Sequence, residues 1–279
     1  MKPLAPLLLL ALLPLALLAL APACANDDSA PGAPVDALEE QSQGGGADLN
    51  VELTPDAQAP EDLRGLWAST TVFRGIAQHP LLGPLDERST VVALVEVRDR
   101  QDGLGLETVT TTCFMDLHTE GSPVQSTVPA EFLALLGPST RNLEHGDAGL
   151  AQGPYAEVFA LHLDAPLTEP FPQAPNDTRI FDHDGDGKPG LSVRLTGLVD
   201  GEVFVAQRRI ISWQASWDGQ GFSGPVAQTL EELVLGAAPE VLMNYLPTHL
   251  PAADPSASTV EWRSLPLGSD CEDLASAQR

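Results

Sequence analysis

The feature that most constrains the fold of this chain is a pair of segments in which apolar and polar residues alternate, one on each side of residues 200 and 201. Between residues 191 and 197, apolar side chains at odd positions alternate with Ser, Arg and Thr at even positions. Asp200-Gly201 is a dipeptide typical of a two-residue β-turn, and apolar residues recur at odd positions from Val203 to Trp213. Alternation with a period of two places one face of a strand against a core. The segment therefore predicts an antiparallel hairpin.

The rest of the chain after residue 63 repeats this kind of signal. Runs rich in β-branched and aromatic residues are separated by reversals such as Asp102-Gly103 and Asp218-Gly219. Counting the runs gives about eight strands, at residues 64–73, 89–97, 106–117, 155–163, 191–199, 203–213, 222–235 and 259–265. Helices do not alternate with them as they do in parallel sheets. We expect an all-β domain over residues 64–279, a single antiparallel barrel or sandwich.

Three segments of this domain are predicted to lack strands. Residues 129–136 begin with proline, which favours one or two helical turns. Residues 137–152 are rich in Gly, Asn and charge, which indicates an exposed loop. Residues 164–180 contain too many prolines for regular structure.

The first 23 residues have the pattern of an export signal. Lys2 is followed by an unbroken apolar run from Leu4 to Leu20. The small residues 21–23 lead into Cys24, and this junction resembles a bacterial lipobox. In a lipobox the cysteine becomes the lipidated first residue of the mature protein. Ala21 stands where leucine is usual. We expect lipidation of Cys24 and anchorage in the bacterial cell envelope, at the outer membrane and facing the periplasm or the surface. The alternative is ordinary cleavage before Cys24 or after Ala25, with secretion.

Residues 24–63 are predicted to form a tether. They contain ten Asp or Glu residues, no Lys or Arg and no aromatic residue. So little apolar surface cannot offset the entropy of ordering, and we expect the tether to be disordered. The whole chain has a formal charge of −25, which argues against nucleic acid as a partner and against direct contact with an anionic membrane. We expect membrane contact through the lipid anchor only.

The chain contains three cysteines. Lipidation of Cys24 leaves Cys113 and Cys271, an even number in an oxidising compartment, and we expect these two to form a disulfide. The alternative is two free thiols. Neither cysteine belongs to a Cys-x-x-Cys motif or a local Cys/His cluster that would suggest a zinc site.

The densest set of candidate metal ligands lies at residues 182–190. Asp182, Asp184 and Asp186 occupy alternate positions, and glycines allow the chain to curl around one centre. The run resembles the first half of an EF-hand calcium loop, which implies Ca²⁺ held by the three carboxylates and the backbone carbonyl of Lys188. Val193 stands where the bidentate glutamate belongs, so we expect an affinity on the order of 10⁻⁴ to 10⁻³ M. The alternative is a solvated acidic turn.

The start of the first predicted strand, Gly65-Leu66-Trp67, resembles the Gly-x-Trp opening of lipocalins. The resemblance implies an eight-stranded barrel that carries a small hydrophobic ligand. The Thr-Asp-Tyr segment of that family has no counterpart here, and the insertion from Gly137 to Gly190 is foreign to it. The alternative is that Trp67 simply fills the end of a core.

Three function classes remain open. The sequence contains no Gly-x-Ser-x-Gly, His-Glu-x-x-His or phosphate-loop motif, so we expect a protein that is not an enzyme. The leading expectation is a non-catalytic cell-envelope lipoprotein whose calcium-stabilised β-domain binds a protein or polysaccharide. The alternatives are a lipocalin-like carrier of a small hydrophobic ligand and a hydrolase whose residues are distant in sequence. An apolar interior with an open mouth favours the carrier, and a packed interior favours the interaction module.

Overall fold

The computed structural model describes residues 59–146, 149–197, 199–254 and 256–276. The predicted signal peptide, the predicted lipidation site at Cys24 and residues 24–58 of the predicted tether lie outside the described residues. In the described ranges, none of the helices has the length and apolar character needed to cross a membrane.

The described chain is built from one sheet of eleven strands. The strands are β1 (Gly65–His79), β2 (Gly83–Asp99), β3 (Leu106–Thr119), β4 (Val124–Thr127), β5 (Ser139–Gly146), β6 (Gly149–Phe159), β7 (Leu191–Gly197), β8 (Gly201–Trp217), β9 (Gly221–Ala238), β10 (Thr248–Pro251) and β11 (Thr259–Ser264). Two short helices, α1 (Ala130–Leu135) and α2 (Cys271–Ser276), and a 3₁₀ helix (Glu240–Asn244) accompany them. The predicted all-β fold is confirmed.

Eight of the strands close into a ring. Their order is β8-β6-β5-β3-β2-β1-β11-β9, and β9 pairs again with β8. The ring is not a regular barrel, because β6 and β7 share one edge of β8, and β10 and β11 share one edge of β1. β4 pairs with the outer edge of β7. The predicted antiparallel closure is therefore present, with strands added at its edges.

The prediction of an exposed loop at residues 137–152 is wrong, because the segment contains β5 and the start of β6. β5 pairs first with β3 and then with β6. Leu143 and Leu150 are buried in the core. The hydrogen bonds between the strands satisfy the backbone N–H and C=O groups of the polar residues between them. The charged outer face of the hairpin hides the strand pattern. The predicted short helix in residues 129–136 and the irregular segment 164–180 are both confirmed.

The end of the ring at which β1 begins is filled by aromatic side chains, and we call it the aromatic end. The ring centroid of Trp67 lies 5.8 Å from that of Phe222 and 6.2 Å from that of Trp262. The indole N–H of Trp67 donates a hydrogen bond of 2.8 Å to the carbonyl of Leu63. Trp67 fills the end of the core, and because Leu63 is itself buried, the ordered domain begins before Arg64.

At the opposite end, where β1 leads into β2, the ring separates into two faces, and we call it the open end. β3 pairs with β5 only from Leu106 to Thr110, so its second half diverges from that neighbour. A second apolar cluster covers the open end, and its buried members are Phe132, Leu191, Leu195, Val203, Val205 and Leu242. The short helices contribute to this cover, because α1 supplies Phe132 and the 3₁₀ helix supplies Leu242.

The long connection between β6 and β7 packs on the outer face of β8. Arg208 donates hydrogen bonds to the carbonyls of Pro166 and Glu169, at 3.1 Å and 2.6 Å. Phe171 packs beside the buried Ala206. These contacts hold an otherwise irregular segment, and they deliver the acidic loop directly to the start of β7.

Candidate functional site

The acidic loop closes on itself before β7 begins. The N–H of His183 donates a 2.9 Å hydrogen bond to the carbonyl of Gly190. Closure brings three of the predicted metal ligands together, with one carboxylate oxygen from each lying within 4.8 Å of the others: Asp182, Asp184 and Asp186. The residues that the sequence singled out therefore converge, as the predicted calcium loop requires.

Backbone N–H groups hold the first of these carboxylates. Asp182 accepts hydrogen bonds from Gly185 and from Gly187, both of 2.8 Å. Gly185 and Gly187 have φ values of +75° and +83°, which glycine adopts without strain. The hydrogen bond from Gly187 holds the pKa of Asp182 below its ordinary value. Asp182 is thus kept in the ionised form that a cation ligand needs.

The other two carboxylates contact Ser192, a residue that the sequence reasoning missed. The N–H of Ser192 donates to Asp184 at 2.9 Å, and its hydroxyl donates to Asp186 at 2.7 Å. The second oxygen of Asp184, Oδ1, is buried and has no hydrogen-bond partner. In an EF-hand loop the bidentate glutamate stands at the position of Val193. The hydroxyl-bearing residue one position earlier was the sequence signal that could have identified Ser192.

Lys188 takes part in the loop through its backbone. Its N–H donates a 2.7 Å hydrogen bond to Asp186. Its side chain points elsewhere, with Nζ 3.7 Å from a carboxylate oxygen of Glu202 and 4.4 Å from the ring centroid of Phe204. The role of the Lys188 carbonyl as a fourth metal ligand stays a prediction.

The two cysteines of the β-domain lie together. Cys113 on β3 and Cys271 at the start of α2 are at disulfide-bonding distance, with their Cα atoms 4.9 Å apart, a normal separation for a disulfide. The predicted pair is therefore brought into contact, and it attaches the C-terminal helix to the sheet.

An aromatic cluster connects the acidic loop with the interior of the ring. The ring centroid of His183 lies 5.3 Å from that of Phe132 and 6.2 Å from that of Phe159. Its Nδ1 accepts a 2.8 Å hydrogen bond from the N–H of Ala160, and burial lowers the pKa of the imidazole. His183 is therefore a neutral packing residue, and the two phenylalanines beside it also line the interior cavity.

A cavity of about 210 Å³ lies between the two faces of the open end. Its apolar walls come from both faces and include Leu85, Leu117, Phe159, Val193, Val205 and Val234. Small ligands bind preferentially in concave apolar sites that also present a few polar groups. The interior of the ring is therefore not fully packed, and the cavity is a candidate binding site.

Several ionisable side chains line the same cavity, Arg74 and His79 among them. We call five of the others the charged belt: Glu87, Glu157, Arg209, Glu232 and His249. The belt lies toward the aromatic end, since Arg209 is two residues before Ile211 on β8, and Ile211 belongs to the aromatic core. The sequence reasoning missed all five. The sequence signal was Arg209, a charged residue on β8 at an odd-numbered position, on the same inward face of the strand as Val205 and Ile211.

His249 connects two acidic members of the belt. Its Nδ1 lies 2.8 Å from an oxygen of Glu87, and its Nε2 lies 4.0 Å from an oxygen of Glu232. Burial alone lowers the pKa of His249, but the hydrogen bond to Glu87 and the charge of Glu232 outweigh it, and the pKa is raised. Burial also raises the pKa of Glu232. The belt thus favours a protonated His249 and disfavours an ionised Glu232.

Comparison of the chain with known proteins gives no matching family model, no matching curated protein and no matching solved structure.

Proposed function

We propose that the β-domain is a non-catalytic module that binds a small amphiphilic molecule in the cavity. The observation that supports this function best is the cavity itself, which has apolar walls at the open end and the charged belt on its inner side. A molecule with an apolar body and a polar group matches both surfaces. Because the binding surface lies inside the ring, the carrier alternative is favoured over a module that docks a protein or polysaccharide on its exterior.

The charged belt supports binding rather than hydrolysis. A nucleophilic mechanism needs a hydroxyl or thiol within hydrogen-bond reach of the general base. The two ring nitrogens of His249, the only belt histidine, have carboxylates as neighbours, Glu87 on one side and Glu232 on the other. This arrangement holds an imidazolium between acids, which suits a polar lining and does not activate a nucleophile.

The test of the cavity is a fluorescence titration with N-phenyl-1-naphthylamine, an uncharged apolar dye. We expect a saturable increase in emission with one dye bound per protein, reversed by competing dodecanol. Emission that rises without saturation, or that dodecanol does not reverse, would contradict binding in a defined cavity.

We also propose that the acidic loop binds Ca²⁺ through Asp182, Asp184 and Asp186, with the Lys188 carbonyl as a further ligand. Two observations support the ion: the carboxylate oxygens gather within 4.8 Å, and Oδ1 of Asp184 is buried without a hydrogen-bond donor. A cation would satisfy that oxygen and offset the repulsion among the carboxylates. β7 begins directly after the loop and lines the cavity with Val193, so a bound ion would steady one cavity wall.

The proposed setting is the bacterial cell envelope, with a diacylglyceryl group on Cys24. The apolar leader, the small residues before Cys24 and the acidic segment after it support this proposal. Mass spectrometry of the N-terminal peptide from membrane fractions is the test. An unmodified N-terminus at Cys24 or Asn26 in a soluble fraction would contradict the anchor.

A further inference from the structure

The guanidinium of Arg209 faces the cavity from the middle of β8. Arg209 lies directly across from Glu157 on β6 and from Leu230 on β9. Its Cζ atom lies 4.2 Å from the ring centroid of Phe73, and its Nε is buried without a hydrogen-bond partner. Arg209 keeps a small part of its surface accessible, and it is one of the residues that line the cavity.

The acidic side chains around Arg209 interact with other partners. Glu157 lies 3.5 Å from Arg141, and Glu87 lies 2.8 Å from Nδ1 of His249. Glu232 approaches the other ring nitrogen of His249. Among the residues that the structure describes, no carboxylate oxygen comes within 4.0 Å of an Arg209 nitrogen.

Within the charged belt, the charge balance leaves one positive charge on Arg209. Arg74, which also lines the cavity, is exposed. Glu87 is balanced by the protonated His249 that it stabilises, and Glu157 is balanced by Arg141. Burial raises the pKa of Glu232 and that of the nearby Tyr155 hydroxyl, which favours the neutral form of both. Burial also lowers the pKa of Arg209, which reflects the cost of a desolvated cation. A buried cation is stabilised by a paired, hydrogen-bonded anion.

We infer that the cavity takes a monocarboxylate with an apolar tail, its carboxylate on the guanidinium of Arg209 and its tail along the apolar walls of the open end. This inference rests on the proposed function, because it names the head group of the amphiphile that the cavity holds. The flat fork of a guanidinium matches a carboxylate in shape and charge.

The neighbours of Arg209 argue against other head groups. A dianionic phosphate carries more charge than one guanidinium balances, and it also meets the carboxylate of Glu87 in the same belt. An ammonium head is repelled by Arg209 itself. An alcohol leaves the cation unpaired. The single surplus charge of the belt therefore favours a monoanion.

Calorimetric titration of the purified protein with dodecanoate, dodecanol and dodecyl phosphate tests the inference, because the three share one tail. We expect dodecanoate to bind about 10- to 100-fold more tightly than dodecanol, as a charge-assisted hydrogen bond implies, and more tightly than dodecyl phosphate. Arg209→Met should remove the preference for dodecanoate over dodecanol. Arg194→Met is the matched control, because Arg194 is exposed on β7, and it should keep the preference.

The outcomes separate this inference from the proposed function. Equal affinity of the unmodified protein for dodecanoate and dodecanol overturns the carboxylate site and leaves the amphiphile cavity standing. Tighter binding of dodecyl phosphate overturns the monocarboxylate class. A preference that survives Arg209→Met overturns the role of Arg209. Failure of all three ligands to bind, together with failure of the uncharged dye, overturns the cavity as a binding site.

Discussion

Nδ1 of His249 lies 2.8 Å from Oε2 of Glu87, although 162 residues separate the two in the chain. β10 and β2 flank β1 on opposite edges, and the two side chains meet over it at the side of the cavity. Against the opposing effect of burial, this hydrogen bond helps raise the pKa of His249 above its ordinary value of 6.5. The folded protein therefore binds this proton more tightly than the unfolded chain does.

The first prediction concerns pH. Because the pKa of His249 is raised in the folded state, the stabilisation that its proton contributes is fully present below about pH 6.5. This stabilisation is lost as pH rises through the folded-state pKa. We expect the difference in free energy of unfolding between the unmodified protein and His249→Gln to shrink as pH rises above 6.5. Denaturant unfolding of both proteins at several pH values measures it. A difference that stays constant or grows with pH would contradict this account.

The second prediction concerns the disulfide. Cys113 and Cys271 are 158 residues apart, so their link removes a large loop-closure entropy from the unfolded chain. Reduction should cost on the order of 3–5 kcal/mol of stability, which for a domain of this size lowers the melting temperature by about 6–20 °C. Melting curves with and without reductant measure the effect. Cys24→Ser should respond to reductant like the unmodified protein, and a protein indifferent to reductant would show that the two thiols are free.

The third prediction concerns the acidic loop. At Ca²⁺ of ~100 times the dissociation constant, the stabilisation should reach about 2.7 kcal/mol, or about 5–10 °C in melting temperature. Mg²⁺ should act weakly, because it demands a tight octahedron. Asp184→Asn should remove most of the response to Ca²⁺ while keeping an amide oxygen to accept the N–H of Ser192. The stability of this variant without Ca²⁺ should be equal or slightly higher, because one of three clustered charges is gone.

The matched control for the loop is Asp86→Asn. Asp86 is an exposed acid on β2, away from the loop, and its replacement should leave the response to Ca²⁺ intact. Identical melting curves with and without Ca²⁺ in the unmodified protein would mean that the loop is an acidic turn held by its own hydrogen bonds.

The fourth prediction fills the cavity. Leu230 lines it from β9, and Leu230→Trp should place an indole where the ligand lies. Dye and indole together would overpack the cavity at a cost of about 1–3 kcal/mol, so the affinity for N-phenyl-1-naphthylamine should fall about 5- to 150-fold. Thr229→Trp is the control, because the neighbouring Thr229 is exposed on the outer face. Equal dye binding by both variants would place the dye outside the cavity.

The strands of this fold could be predicted where one face is uniformly apolar. The alternation from Leu191 to Gly197 and the turn at Asp200-Gly201 correspond directly to β7 and the start of β8. The β5–β6 hairpin could not be predicted, because only Leu143 and Leu150 mark its buried face. A strand whose partners supply most of its burial has little local signal.

The acidic loop could be predicted because its ligands are adjacent in sequence, whereas the cavity could not. The cavity depends on the point at which β3 leaves β5 and on the sharing of the β8 edge by β6 and β7. Both are long-range pairings that no local pattern encodes. A polar residue at an inward position, such as Arg209, was the one local sign of an interior that is not fully packed.

The most direct test of the account is a crystal structure of the protein with 12-bromododecanoate. We predict anomalous bromine density inside the cavity, between Leu117 on one face and Val205 on the other, with the carboxylate on Arg209. Bromine density at surface sites alone, with the cavity free of ligand, would contradict the claim that this β-domain holds its ligand inside the ring.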